Sequence, residues 1–526
     1  MKGKNEISDN VIKGTFSLTI STLIVKVLGL IYKIPLANIL GDEGMGFFNS
    51  AYTVYSFFFL LCTAGVPKAI MILVSGSKAK GEDEEAKQII SIAMKLFLYL
   101  GIGISVIFMV FSGPLSRIIG NSQARATMIA VAPSIVFISL ASVIRGYLSA
   151  NMKLLEIAVS QVIEGVGKLA VGLLFACLSA RANMPLQMIS AMTILGVSFG
   201  SLAGFVYLLV MSKIRIKGYK TGQKQIVRKI FRISLPITFS AAIMSLTNVI
   251  DLGLVMRNLE YIGYTETESS ALYGNYTTLA VPMLNLGLAI ISPISLAYLP
   301  MFTRAIASQD FELLRDFEES ALRISAFIAS PMLVGLMVFS NEILNVLFPS
   351  SDTHVGAMLL CLLCPAIVFS SSLLIINNSL EAGGRVLAPL ISMSCGCLVK
   401  IIISYLLIRN PAFAISGAPI GTVCSYATAL LISIIIYRVE YGRTIDIFFG
   451  YPSAILFSVV AVLLSRTLYN AVYTKVGEVI ALILSIILCA ALYFGISAIY
   501  ELIKGRGKIE LAKYTNFNNA NCKIDT

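Results

Sequence analysis

Fourteen times along this chain the sequence runs apolar for about the length that a bilayer demands. The approximate limits are 15–36, 46–74, 89–111, 126–149, 155–180, 186–212, 231–257, 271–301, 321–340, 355–380, 386–408, 412–437, 451–471 and 478–503. A helix of roughly 20 residues spans the ~30 Å hydrocarbon core. Inside it, only a helix or a closed barrel satisfies its own backbone. The charged fraction of 13% is far below the roughly one quarter of soluble domains. Mean hydropathy is +0.86. These features exclude an ordinary soluble enzyme. They predict an all-α integral membrane protein with 14 transmembrane helices and, the number being even, both termini on one side.

The basic residues choose that side. With the N-terminus cytoplasmic, 27 of the 40 Lys and Arg fall in the inner loops and ends or, as Arg145, Arg232 and Arg323 do, in the inner end of an adjoining span, against 6 in or at the outer loops: Arg117, Arg125, Arg181, Arg257, Arg409 and Lys475. Both termini are therefore expected in the cytoplasm. The opening "MKGKNEISDNVIKG" has no A-x-A site and leads into a span too long for a signal h-region, so the first span is expected to be retained. The pairs Cys361/Cys364 and Cys395/Cys397 lie in apolar helices with no histidine beside them, and read as small packing residues. A single histidine, His354, excludes histidine-based metal and triad chemistry. No metal site, no catalytic residue and no cofactor is expected.

The sequence repeats itself across six helices. "LGLIYK" (28–33) returns as "LGLVMR" (252–257), Gly46 as Gly274, and "GYLSANMKLLEIAVS" (146–160) as "NSLEAGGRVLAPLIS" (378–392). The offsets are 224, 228 and 232, and the last pairs Lys168 with Lys400. An even helix number between repeats gives both halves the same orientation, which favours a site between two lobes. The expected organisation is an N-terminal lobe over 1–212 (helices 1–6), a basic cytoplasmic linker over 213–232 and a C-terminal lobe over 233–440 (helices 7–12). Helices 13–14 over 441–503 and a cytoplasmic tail over 504–526 follow. The linker holds eight basic residues and no acidic one, and reads as a segment lying on anionic membrane lipids.

Charges inside the spans are expensive and therefore informative. A lysine at the centre of a membrane helix costs about 2.5–3.5 kcal/mol on the insertion scale. Seven residues separate Lys26 from Lys33, nearly two turns, so they share one face of helix 1. That face must look into water, a cavity or a partner. Lys68 and Lys95 lie nearer span ends, where they can snorkel. Glu164 and Asp251 are the acidic residues expected well inside spans. Glu164 has Lys168 four residues on, in the favourable order, and reads as a structural or coupling pair. Asp251, one turn beyond Asn248, either faces Lys26 between the lobes or sits in a local salt bridge. One acid does not neutralise Lys26, Lys33 and their companions, so an anionic ligand is expected to enter. Lysines serve as point charges for phosphate. The expected substrate-binding set is Lys26, Lys33, Lys68, Asn248 and Asp251. No phosphate-binding loop of the G-x-x-x-x-G-K-[ST] type occurs, so direct ATP use is not expected.

The stretch "VKVLGLIYKIPLANILGDEGMGFFNSAY" (25–52), followed by "TAGVPKAI" (63–70), resembles the opening of the polysaccharide-exporter branch of the flippase superfamily that also contains multidrug exporters. The resemblance is to the stage V sporulation protein B group and the related MurJ-type lipid II flippases. It implies two six-helix lobes in a V, a cationic cavity lined by helices 1, 2, 7 and 8, and a polyprenyl groove on helices 13 and 14. The family's basic residue before "VLG" falls on Lys26. Two positions depart from the pattern. The family's helix 2 basic residue, ahead of the glycine matching Gly65, is replaced by an apolar residue near Phe59. Its helix 8 basic residue, a turn before Pro282, is replaced by Thr277 or Thr278.

The resemblance thus implies a monomeric, multi-pass protein of the bacterial cell membrane that carries a polyprenyl-pyrophosphate-linked glycan. Lipid II is the first candidate, with a possible setting in spore cortex synthesis; a teichoic or capsular precursor is left open by the two departures. Cell-wall synthases are further candidate partners, and no nucleic acid is expected. A multidrug or organic-cation exporter is the alternative, though such carriers want acids where helix 1 offers lysines. A membrane glycosyltransferase using Asp42 and Glu43 is the third reading. The tight "GDEG" turn makes those two turn residues instead.

Overall fold

The computed structural model describes residues 2–214, 223–385, 387–447 and 449–503. Among these there are helices and turns and no strand. Eighteen α-helices follow in order: α1 (Lys2–Thr63), α2 (Val66–Ala79), α3 (Asp83–Ile118), α4 (Arg125–Val131), α5 (Ser134–Ala150), α6 (Leu154–Arg181), α7 (Leu186–Ser212), α8 (Gln223–Tyr261) and α9 (Glu266–Asn275). The rest are α10 (Val281–Ala307), α11 (Phe311–Val338), α12 (Ser340–Leu347), α13 (Thr353–Leu363), α14 (Pro365–Ala382), α15 (Ala388–Ile408), α16 (Gly417–Tyr441), α17 (Tyr451–Val476) and α18 (Glu478–Ile503). Ten segments of the described residues are long and apolar enough to cross a membrane. Two bent pairs, α4 with α5 and α13 with α14, raise this to twelve.

One of the ten, Ile31–Lys78, runs for 48 residues. At 1.5 Å per residue that is about twice the thickness of a hydrocarbon core. It is broken inside α1 at Gly41, whose φ of 63° and ψ of −176° leave the helical region altogether. A side chain is strained there, and glycine is not. The break falls where the sequence places the loop between spans 1 and 2.

Small residues bring the helices together, as expected where lipid supplies no hydrophobic drive between them. On α7, Gly196, Gly200 and Gly204 recur every fourth residue and press on α6. A Cβ on Gly196 would stand 2.6 Å from the Cα of Gly172, and one on Gly200 would stand 2.5 Å from the Glu164 carbonyl oxygen and 2.7 Å from the Lys168 nitrogen. Lys168 therefore has its backbone against α7 and its side chain free to reach the opposite way. The α15–α16 pair is built alike: a Cβ on Gly421 would meet the Ser404 hydroxyl at 2.3 Å, with the Lys400 carbonyl at 3.3 Å. Many helix serines are buried and return their hydroxyls to carbonyls three or four residues back, as Ser142 does to Ile138 and Ser458 to Ala454. That satisfies them without a partner helix.

α17 and α18 pack on each other, α17 also on α11 and α18 on α12. Arg466 of α17 is in an ion pair with Glu342 of α12, its guanidinium 5.4 Å from the Phe339 ring and 5.3 Å from that of Tyr469. At the α11 start, Glu318 has no solvent exposure. It accepts from Ser379, from the Tyr437 hydroxyl at 2.8 Å and from Arg443 at 3.0 Å, which ties α11, α14, α16 and residues 442–450 into one unit. Sequence reasoning had placed this acid outside its span.

Candidate functional site

The first seven helices meet the rest closely at the end of the bundle that carries Gly41. A Cβ on Gly46 would lie 2.0 Å from the Ser270 carbonyl oxygen, and one on Gly274 would lie 2.1 Å from that of Asp42 and 3.0 Å from the Gly46 Cα. No other residue permits this crossing of α1 with α9. Polar side chains surround it. Asn49 donates to the Thr278 hydroxyl at 2.8 Å, and the fully buried Asn121 donates to Ser50 and Ser270 at 3.0 and 3.1 Å. Asp42 accepts from the Asp352 amide at 2.7 Å and from Asn275 at 3.4 Å, and Glu266 accepts from Ser122. Asp42 is therefore a closing residue of this end. At the opposite end the contacts run chiefly through α8: a Cβ on Gly65 would meet the Ser234 carbonyl at 2.2 Å, and Lys229 stands 3.5 Å from Glu85.

Just inside the closed end lie the charged groups. Lys33 of α1 reaches across to donate to the Thr277 carbonyl oxygen at 3.0 Å. Lys168 of α6 stands 4.5 Å from the Tyr52 ring centre and 5.5 Å from that of Tyr32. Cation–π contact is worth roughly 0.5–2 kcal/mol, less than full neutralisation. Lys33 and Lys168 are close enough for their charges to repel. Neither is in an ion pair among the described residues. Beyond them, Thr53 and Tyr273 exchange a hydrogen bond at 3.3 Å, and Asp251 meets Lys400 at 2.8 Å. That pair is buried, its side chains 8% and 14% exposed, with Tyr276 held to Thr422 at 3.0 Å nearby.

The expected residues are thus distributed as follows. The Lys26 side chain lies outside the described residues. Lys33 is at the site. Lys68 and Asn248 are exposed on α2 and α8. The Asp251 carboxylate is taken by Lys400, so it is matched within the second half of the chain. The expected pairing of Glu164 with Lys168 requires correction. Glu164 bonds to Arg145 of α5 at 2.8 Å, and Lys168 goes to the rings instead. Arg145, from the neighbouring helix, outcompetes the ammonium four residues on for the Glu164 carboxylate. Lys168 is the cation that sequence reasoning assigned elsewhere. That it meets no carboxylate among the described residues is a signal carried only by the packing.

A helical membrane bundle whose first seven helices cross the rest at paired glycines, with two lysines beside that crossing in no ion pair among the described residues, suits a transporter. The comparisons place it. The sequence profile of the family described as "Polysaccharide biosynthesis protein" matches residues 11–306, more than half of the chain, and the chain belongs to that family. A second profile, "MatE", matches residues 276–406. Stage V sporulation protein B of Bacillus subtilis (strain 168) is 23% identical over 506 residues, covering 94% of this chain and 96% of its own. Lipid II flippase MurJ of the same organism is 23% identical over 467 residues, with 84% and 85% coverage. The solved structure "Lipid II flippase MurJ, inward closed conformation" superposes with a TM-score of 0.67 at 18% identity, over 93% of this chain and 99% of that one. The protein is a multi-pass bacterial membrane transporter of the flippase superfamily, and not an enzyme.

Proposed function

We propose that this protein carries a polyprenyl-pyrophosphate-linked saccharide, with lipid II the first candidate, from the inner to the outer leaflet by alternating access. The observation that carries this reading is the pair of ammonium groups of Lys33 and Lys168, one on the Thr277 carbonyl and one over the Tyr52 ring, near enough to repel and neither in an ion pair among the described residues. An isolated charge in a low-dielectric bundle is costly, and a diphosphate entering between the two relieves both at once. Lys26, two turns from Lys33, extends the cradle along α1. The exposed Lys68 stands on the path in, and Asn248 with the Asp251–Lys400 pair forms the opposite wall. Fourteen spans with both ends cytoplasmic, in lobes of 1–212 and 233–440, complete the reading. It puts the closed end on the outer side, and α17 and α18 along the lipid tail. The two relatives, whose printed names concern sporulation and lipid II, support this choice only as likeness.

A cation exporter needs a free acid in the same place. Here the acid at that depth, Asp251, already has Lys400.

The test is translocation of a fluorescent lipid II across proteoliposomes, beside an undecaprenyl-linked teichoic precursor and a cationic dye. Lys33→Ala and Lys168→Ala are expected to cut lipid II transfer at least tenfold at unchanged protein levels, as loss of one charged contact implies. Dye export without lipid transfer would transfer the protein to the exporter class.

A further inference from the structure

Lys33 does more than line a cavity, because its acceptor belongs to the element that seals the bundle. Thr277 lies in a π-helical turn, Tyr276–Ala280, inserted between α9 and α10. Such turns shift carbonyls off their ordinary helical partners and recur at functional sites. The next residue, Thr278, accepts from Asn49, and the turn begins two residues after Gly274, which lies against Gly46. The ammonium of Lys33 is therefore hydrogen-bonded to the segment that closes the Gly41 end, while Lys168 stands within reach of its charge.

We propose that Lys33 couples anion binding to release of this seal. The inference rests on the reading of Lys33 and Lys168 as an anion cradle. With the site empty, the carbonyl of Thr277 is the acceptor for Lys33 and the 276–280 turn is held to α1. A lipid-borne diphosphate drawn to Lys168 offers a charged acceptor, which outcompetes a neutral carbonyl. Lys33 then leaves Thr277, and the seal loses the charge-assisted bond across it. What remains is a glycine crossing, the neutral hydrogen bonds of Asn49 and Asn121, and the exposed rim bonds of Asp42, Glu266 and Arg257, whose groups water can satisfy once the end opens. An empty carrier is thereby held shut at that end, and a loaded one is freed. By linkage the anion binds more tightly to the open form, by about tenfold for one such bond.

The experiment is a distance measurement on the full chain in nanodiscs. Spin labels are placed at Met184→Cys and Phe413→Cys, both exposed near the closed end, in a background lacking the native cysteines. Wild type is expected to be closed when empty and to lengthen with farnesyl pyrophosphate, at concentrations where inorganic pyrophosphate has no effect. Lys33→Met is expected to raise the open population about tenfold without probe and to gain nothing further from it. Lys33→Arg, which keeps charge and donor, should retain the response and shows that the position tolerates change. Binding of farnesyl pyrophosphate is measured on the same samples. If wild type binds the probe but the empty Lys33→Met protein has the wild-type distance distribution, the coupling is overturned and the cradle stands. If wild type does not bind the probe, the cradle itself is overturned, and a response to inorganic pyrophosphate alone removes the lipid-borne source.

Discussion

Lys168 and Lys400, which the sequence repeat pairs 232 residues apart, each lie on a helix backed by a glycine of the next. Their surroundings differ in kind. Lys400 has the Asp251 carboxylate at 2.8 Å, whereas Lys168 has two tyrosine rings and a second lysine. The "LGL" alignment explains how. Asp251 stands one residue before "LGLVMR" on α8, and the position one before "LGLIYK" on α1 is Val27. The cation is present twice and its counter-ion once. Among the described residues Lys400 is thus matched and Lys168 is not, and on the proposed function the ligand comes to Lys168.

The largest effect that follows is on stability. Lys400→Met leaves Asp251 buried and unpaired, with its second oxygen already lacking a partner. Removing one member of a buried pair costs about 3–5 kcal/mol. Thermal unfolding in detergent should show that loss, and the double variant Asp251→Asn/Lys400→Met should recover most of it. The contrast between the halves is broken if Lys400→Met proves no more destabilising than Lys168→Met.

The sequence makes the framework legible for a physical reason. Bilayer thickness sets the length of the apolar runs, so the helices and their turns fall near the expected limits, with the break of α1 at Gly41 in the first loop. The match of Gly46 with Gly274 was visible as a repeat, and the two glycines turn out to touch. Contact between equivalent positions is what two-fold-related surfaces produce at their axis. The pairing of charges was not legible. The i,i+4 spacing of Glu164 and Lys168 suggests a partnership, but Arg145 of α5 takes the carboxylate and Lys168 turns to the Tyr52 ring. Glu318 was missed because it lies three residues before the apolar run at 321, although it is completely buried. Nor does any spacing reveal that Lys400 reaches Asp251, which are 149 residues apart. Hydrophobic period reports which residues are inside, and says little about who meets whom there.

The glycines behind the two lysines sharpen the comparison with a smaller effect. On Gly200→Ala the new methyl meets backbone, the Glu164 carbonyl at 2.5 Å and the Lys168 nitrogen at 2.7 Å, so α6 and α7 must separate. Overpacking of this kind costs about 1–3 kcal/mol. Gly421→Ala meets first the Ser404 hydroxyl, a side chain that can rotate and that has no partner to lose. The first variant should lower the unfolding temperature and displace Lys168, reducing lipid transfer. The second should lie within ~1 kcal/mol of wild type and leave transfer intact. Equal losses in both would show that the two lysines are supported alike after all.

The smallest effect on stability belongs to the residue with the largest effect on function. Lys168→Met removes a cation–π contact worth roughly 0.5–2 kcal/mol. It also removes an ammonium with no carboxylate partner and its repulsion with Lys33, which offsets that loss. The net change in unfolding free energy should therefore be about 1 kcal/mol or less, in contrast to Lys400→Met. Transfer of lipid II in proteoliposomes should nonetheless fall to the background of empty vesicles. A charge that the fold does not use for its own cohesion, and whose removal abolishes transport, is a charge kept for a ligand. If Lys168→Met instead unfolds the protein at a much lower temperature, Tyr32 and Tyr52 are its true partners, and the site must be sought around Lys33 and Lys26 alone.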